Sequence, residues 1–221
     1  MYLDFLTSLH KSTKRDYLKR VNDKDFPKNK AANLAKKWGY HYWDGDRRIN
    51  YGGYKYIAGR WAKVAKKLIK HYNIKDGDRV LDIGCGKGYL LYEIYKINPK
   101  IKVFGLEISK YAIKKSKKEV TKFIKFGNAN KLPFKKNYFK LAYSLNTFHN
   151  LHNYDLFESL KEIQRVSKKK YICVEAYRNE LEKMNLLYWQ VTCEAFNTPK
   201  EWQWWFDKAK YNGDHSFIYF K

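Results

Sequence analysis

Short apolar runs alternate with helical stripes through the middle of the chain. Residues 80–83 read as a brief strand, and 89–98 as a helix that stops at Pro99. A second strand over 102–106 is followed by a helix over 110–119, for which Ser109 is the expected N-cap. Strands then follow at 123–126 and 141–145, an amphipathic helix at 155–165 carries Leu156, Leu160 and Ile163 on one face, and a strand occupies 171–175. Before this series, residues 60–71 place Trp61, Val64, Ala65, Leu68 and Ile69 on a helical stripe, and 73–78 form a polar turn leading into the first strand. After it come a helix over 182–195 and a capping box at Thr198-Pro-Lys-Glu201, opening a helix that ends near Lys210. Residues 215–220 have strand composition and would close the sheet. Repeated strand–helix units predict an α/β fold: a mainly parallel sheet covered by helices on both faces.

This pattern divides the chain into a helical, aromatic cap over 1–76 and a sheet domain over 77–221, with a helical insertion at about 179–211 before the last strand. In the cap, Tyr42, Trp43, Asp44, Asp46, Arg47, Arg48, Tyr51, Tyr54 and Arg60 surround the turn glycines at 45, 52 and 53. Loops of that composition commonly line ligand sites on a rigid scaffold. Trp202, Trp205 and Phe206 share a helix face at i, i+3 and i+4, which points to core packing.

Composition narrows the functional classes. Hydrophobic residues make up 44% of the 221 positions, enough for a substantial core. No apolar run approaches the roughly 20 residues that cross a bilayer. The opening segment has an early acid and no basic lead, which argues against a signal peptide and for a cytoplasmic location. The three cysteines, Cys85, Cys173 and Cys193, lie far apart with no CxxC pair, so neither a disulfide framework nor a metal site is expected. The formal net charge is +24. Only eight of the 46 basic residues are arginine, however, and the lysines spread over helix surfaces, so nucleic acid is possible as a partner without being favoured.

The glycine loop after residues 80–83 carries the chemistry. Gly84 and Gly86 sit in the turn and Gly88 opens the next helix, as where backbone must bend tightly against a ligand. The dinucleotide fingerprint is GxGxxG; here the spacing is GxGxG, with Tyr89 at the last glycine position, which argues against a pyrophosphate on the helix terminus. Glu107 closes the second strand, 23 positions beyond Gly84, near the spacing of an acid that grips ribose hydroxyls.

Asp82-x-Gly84-x-Gly86-x-Gly88 resembles motif I of the class I S-adenosylmethionine-dependent methyltransferases. Glu107, the segment Gly127-Asn-Ala-Asn-Lys-Leu-Pro-Phe134 and the segment from Leu141 to Leu151 resemble that family's next three elements, in order. The resemblance implies a Rossmann-like, seven-stranded sheet and S-adenosyl-L-methionine as cofactor, with S-adenosyl-L-homocysteine as product. It places Asp82, Gly84, Cys85, Gly86 and Gly88 around the methionine end, Glu107 on the ribose, and Ile108, Asn128 and Ala129 at the adenine. Asn128 stands where the family often has aspartate, and Leu145 and Asn146 would lie along the methionine portion.

In-line methyl transfer needs alignment of the acceptor and exclusion of water, and a base if the acceptor carries a proton. His149, after the fourth strand, is the expected base, with Glu175 at the end of the fifth as the second catalytic candidate. Tyr42, Trp43, Arg47, Arg48, Tyr51, Tyr54 and Arg178 are expected to hold the acceptor, a small and possibly anionic metabolite or sugar, methylated on oxygen or nitrogen. An RNA or protein methyltransferase is the alternative, although the fourth strand leads into Asn146-Thr-Phe-His149 and not an Asn/Asp-Pro-Pro-Tyr loop. A catalytically silent cofactor-binding module is the third reading.

Overall fold

The computed structural model describes residues 1–6, 9 and 15–221. Its frame is a six-stranded parallel sheet in the order β3-β2-β1-β4-β5-β6. The strands are β1 (Arg79–Ile83), β2 (Lys102–Glu107), β3 (Ile124–Phe126), β4 (Phe139–Leu145), β5 (Ser167–Glu175) and β6 (Asp214–Ile218). Among the described residues the helices with full bounds are α1 (Tyr17–Val21), α2 (Lys28–Ala35), α3 (Tyr40–Trp43), α4 (Ala62–His71), α5 (Tyr89–Ile97), α6 (Lys110–Lys114), α7 (Lys118–Thr121), α8 (Asn153–Val166), α9 (Glu180–Trp189) and α10 (Pro199–Lys208). Among the described residues, no helix is long and apolar enough to cross a membrane.

Side chains alternate across each strand and both faces are covered. Leu81 and Ile83, with Ala142, Ile172 and Val174, pack against Leu156, Leu160 and Ile163 of α8 and Trp202 and Phe206 of α10. Val80, Val103, Leu141, Tyr143 and Tyr171 point the other way, onto Val64, Ala65 and Leu68 of α4 and Leu90, Leu91 and Ile94 of α5. Because α4, Phe5 and Leu6 share this second core, much of the amino-terminal region is built into the sheet domain. A smaller cluster of Ala31, Ala35, Tyr42, Trp43 and Ile49 holds the aromatic segment together and reaches Ala112 and Val191.

Among the described residues the sheet has six strands and not the seven implied by resemblance. The chain between β5 and β6 is used for two helices, and β6 runs parallel to β5, from Tyr171 opposite Asp214 to Glu175 opposite Ile218. The outer edge of β6 is met instead by the first residues: Leu3 N–H donates to the His215 carbonyl (2.8 Å) and His215 N–H to the Met1 carbonyl (3.0 Å). The expected helix over 110–119 is broken into α6 and α7, where Lys117 N–H turns to the Lys87 carbonyl (3.0 Å). The expected helix over 182–195 ends at Trp189, because Gln190 becomes extended and its amide turns to Glu175.

The capping box of α10 forms as read: Thr198 Oγ1 accepts from Glu201 N–H, and Glu201 Oε2 accepts from Thr198 N–H (2.6 Å). Thr198→Ala is expected to cost about 1 kcal/mol. A thermal melt should fall by about 2–4 °C, and an unchanged Tm would show that the packing of Trp202 and Phe206 alone orders the helix.

Candidate active site

The strand order reverses between β1 and β4, so the chain departs to opposite sides at their carboxyl ends and leaves a crevice there. A cavity of about 250 Å³ occupies that crevice. Its inner wall is the glycine loop, the end of β2 and the segments following β3 and β4; its outer wall is the aromatic segment between 38 and 61.

Gly84 and Gly86 adopt left-handed backbone, with φ of +77° and +55°. That conformation disfavours any side chain, and space forbids one as well. A Cβ on Gly84 would collide with Thr147, and one on Gly86 would lie 2.7 Å from Cη2 of Trp43. Gly84 N–H and Cys85 N–H both donate to the Leu106 carbonyl, at 2.8 and 3.2 Å. Glu107 completes the link: Oε2 accepts from Gly86 N–H (2.7 Å) and Oε1 from Ser109 N–H (2.8 Å). Burial raises the pKa of this carboxyl, and backbone donors from Ser109, Gly86 and Ile108 work against that rise. One acid therefore ties the loop after β1 to the turn after β2 while facing the cavity.

Most of the expected cofactor residues meet on this inner wall. Gly84, Cys85, Gly86 and Glu107 line it, as do Ile108, Asn128, Ala129, Leu145 and Asn146. Burial pushes the Cys85 thiol well above its ordinary range, so it presents a neutral group. Asp82 and Gly88 are not among the lining residues. Asp82 is buried opposite Tyr143 on β4, where loss of solvent, reinforced by Glu107, pushes its pKa up to about 8. At Gly88 a Cβ would press on Val120 and Ile124, so this glycine lets α5 approach β3 closely.

Asn146, just past β4, has a φ of +57°, an unusual conformation for a residue with a side chain. Its N–H donates to the Cys173 carbonyl (2.9 Å), and its carbonyl accepts from Asn150 Nδ2 (3.2 Å). The side-chain Oδ1 atoms of Asn146 and Asn150 are buried without a hydrogen-bond partner, and both residues line the cavity. Unpaired buried acceptors are costly, and strained backbone concentrates where ligands bind.

The outer wall is pinned directly to the glycine loop. Trp43 lies over Gly86, stacks on Tyr51 (centroids 5.5 Å apart, 12° between planes) and donates from Nε1 to Ser109 Oγ (3.0 Å). Lys87, between Gly86 and Gly88, is buried and donates to Asp44 Oδ1 and Oδ2 (2.6 and 2.7 Å) and to the Tyr54 carbonyl (2.8 Å). Asp44 also accepts from Tyr111 Oη (2.8 Å) and Tyr54 N–H (3.1 Å). A second, more open recess lies beyond this bridge, bordered by Lys55, Tyr56 and Lys115.

Of the residues expected to hold the acceptor, Tyr42, Trp43, Tyr51 and Tyr54 line the cavity. The three arginines named with them do not. Arg48 pairs with Asp46 (2.8 Å) and Asp25 (3.2 Å), Arg178 binds Glu182, and Arg47 lies 5.6 Å from the Trp189 ring centroid and donates to the Asn50 carbonyl. The cap wall instead carries Trp38, Arg60 and Trp61. Arg60 belongs to the loop read as ligand-lining, whereas Trp61 falls on the helical stripe; α4 starts only at Ala62. Gly59, with a φ of +76°, was the available sign that the chain turns before the helix.

His149 and Glu175 are likewise not among the lining residues. His149 is 2% exposed, within the short 3-10 turn Phe148–Asn150. Its Nδ1 accepts from Glu175 N–H (3.3 Å) and its Nε2 lies 3.5 Å from Glu175 Oε2. Burial drives the imidazole pKa far below its usual value, so the ring is neutral with its acceptor nitrogen already used. It is therefore placed to hold the end of β5 and not to take a proton in the cavity. Burial raises the Glu175 pKa from 4.5 to about 8, against opposing contributions from Arg15 and Gln190. A raised carboxyl pKa contributes stability below pH 4.5 that is lost as pH rises to about 8. Glu175→Gln should therefore gain stability relative to the parent between pH 5 and 8 in urea unfolding; parallel pH profiles would count against this assignment.

The comparisons with known proteins agree with this geometry. A family profile described as a methyltransferase domain matches residues 74–210. A second, for protein-L-isoaspartate(D-aspartate) O-methyltransferase, matches residues 15–129. An uncharacterized protein of Methanocaldococcus jannaschii is 35% identical over 114 residues, covering 52% of this chain and 42% of that protein. The demethylmenaquinone methyltransferase of Symbiobacterium thermophilum is 30% identical over 129 residues, covering 54% and 51%. The chain thus spans about half the length of these curated relatives, or less. The YcgJ protein of Bacillus subtilis shares the fold with a TM-score of 0.53, at 20% identity over 66% of each chain.

Proposed function

We propose, from the premise that this chain belongs to the class I methyltransferases, that it moves the methyl group of S-adenosylmethionine to a small acceptor held under the aromatic cap. The observation that carries this reading is a single cavity that joins the glycine loop and Glu107 to the ring faces of Tyr42, Trp43, Tyr51 and Tyr54. The residues suit the cofactor. Each Glu107 oxygen takes one backbone N–H and retains a lone pair for a ribose hydroxyl. Ile108, 44% exposed, offers an apolar face to the adenine beside Asn128 and Ala129. The Gly84–Gly86 loop, which lines the cavity, would hold the methionine end, and the unpartnered Oδ1 of Asn146 can receive a donor next to it.

When bound, S-adenosylmethionine supplies a methyl group already activated by its sulfonium. The remaining task of the protein is alignment and exclusion of water. The inner wall fixes the donor, and the cap rings hold the acceptor against it in an aromatic enclosure. No proton is routed through His149. The relatives' names refer to different acceptors, so kinship does not name this one. Calorimetric titration with S-adenosylmethionine and S-adenosylhomocysteine tests the reading, with binding of both expected. Absence of binding to either overturns it. Labelled cofactor in a cell extract, followed by mass identification of the methylated product, then identifies the acceptor.

A further inference from the structure

We infer that Arg60 reads a carboxylate on the acceptor, and that the acceptor is an aromatic acid. The inference rests on the function proposed above, since it concerns the acceptor half of the same cavity. Arg60 is an exposed residue on the cap wall of that cavity. Among the described residues no carboxylate pairs with its guanidinium. Its counterparts in the cap are committed elsewhere, Arg48 to Asp46 and Asp25 and Arg47 to the Asn50 carbonyl and the Trp189 face.

The surroundings give the rest of the ligand its chemistry. Trp61 follows Arg60 on the same wall, and Tyr51 and Tyr54 stand beside it, their rings 4.6 Å apart between centroids. Flat apolar faces select a planar ring, and the planar guanidinium fork matches a carboxylate with two parallel hydrogen bonds. Glu107 lines the same cavity, with both oxygens already accepting backbone N–H. The cavity wall therefore carries both an acceptor for hydroxyl donors and a cation. A neutral acceptor would use the rings but leave Arg60 idle.

The test compares benzoate with benzamide, which share ring and shape and differ in charge. The whole chain is titrated with each by calorimetry at pH 7, with and without S-adenosylhomocysteine, alongside Arg60→Gln and Arg60→Lys. Benzoate is expected to bind about tenfold more tightly than benzamide. Arg60→Gln should bring benzoate to the benzamide level and leave benzamide unchanged, and Arg60→Lys should restore only part of the preference. Equal binding of the two probes by the parent, no benzoate binding at millimolar concentration, or a preference that survives Arg60→Gln would each overturn the assignment. S-adenosylhomocysteine affinity is read in the same proteins. Its loss in the parent would overturn the methyltransferase reading, whereas its retention in Arg60→Gln shows that the variant is folded and that any change lies in the acceptor half.

Discussion

Glu107→Ala is expected to weaken S-adenosylhomocysteine binding by about a hundredfold or more. The carboxylate has two duties. It holds Gly86 N–H and Ser109 N–H, at 2.7 and 2.8 Å, and it faces the cavity where the ribose hydroxyls would lie. Its removal takes away the ligand's acceptor and leaves two buried N–H groups unpaired in the loop that forms the site. Glu107→Gln separates the two. An amide can accept at one position but must present an NH2 to the other, where a backbone donor already points. That mismatch costs about 1–3 kcal/mol, so the glutamine variant should lose stability as well as affinity. Calorimetry gives the affinity and urea unfolding the stability. Alanine and glutamine variants that bind as the parent does would remove Glu107 from the site.

Asp44→Ala should be the most damaging single change to stability in the cap. Lys87 is only 5% exposed, and Asp44 supplies both of its carboxylate contacts. Breaking a buried pair from one side strands the other charge, at a cost of about 3–5 kcal/mol. The same truncation removes the acceptor for Tyr111 Oη and Tyr54 N–H, so the cap should detach from the glycine loop as stability falls. Urea unfolding reads the first effect, and faster proteolysis within residues 38–61 the second. Asp44→Ala with Lys87→Met should recover part of the loss, because no charge is then left stranded. A double variant no better than Asp44→Ala would assign the damage to Tyr111 and Tyr54.

What could be read from the sequence follows from how local each constraint is. The loop was legible because left-handed backbone and a missing Cβ are written into Gly84 and Gly86 themselves. Glu107 was legible because a strand of fixed length carries it from the loop's own neighbour. The strands showed as short continuous apolar runs, because both faces of the sheet are covered, and most helices through burial at a period of 3.6. The short helices α1 to α3 did not show, since α1 and α2 are mostly polar and α3 is a single turn of aromatic residues packed on Ala31 and Ala35. Of the arginine partners, Asp46 and Glu182 lie two and four positions from Arg48 and Arg178, but Asp25 meets Arg48 across 23 positions and only the fold brings them together. His149 sat at the right place in the chain, but one 3-10 turn directs its ring towards β5. Sequence position located the crevice; side-chain direction decided which residues reach it.

The bridge from Lys87 to Asp44 also carries a kinetic consequence. Trp43 rests on Gly86 and the next residue, Lys87, latches the cap to the loop, so the cap can lift off the glycine loop only when that latch breaks. An acceptor seated against Tyr51, Tyr54 and Trp61 would hold the latch closed from the inside. Turnover should then follow a compulsory order, with the donor entering first and its spent form leaving last. Initial-rate patterns should accordingly show S-adenosylhomocysteine competing with the donor and not with the acceptor.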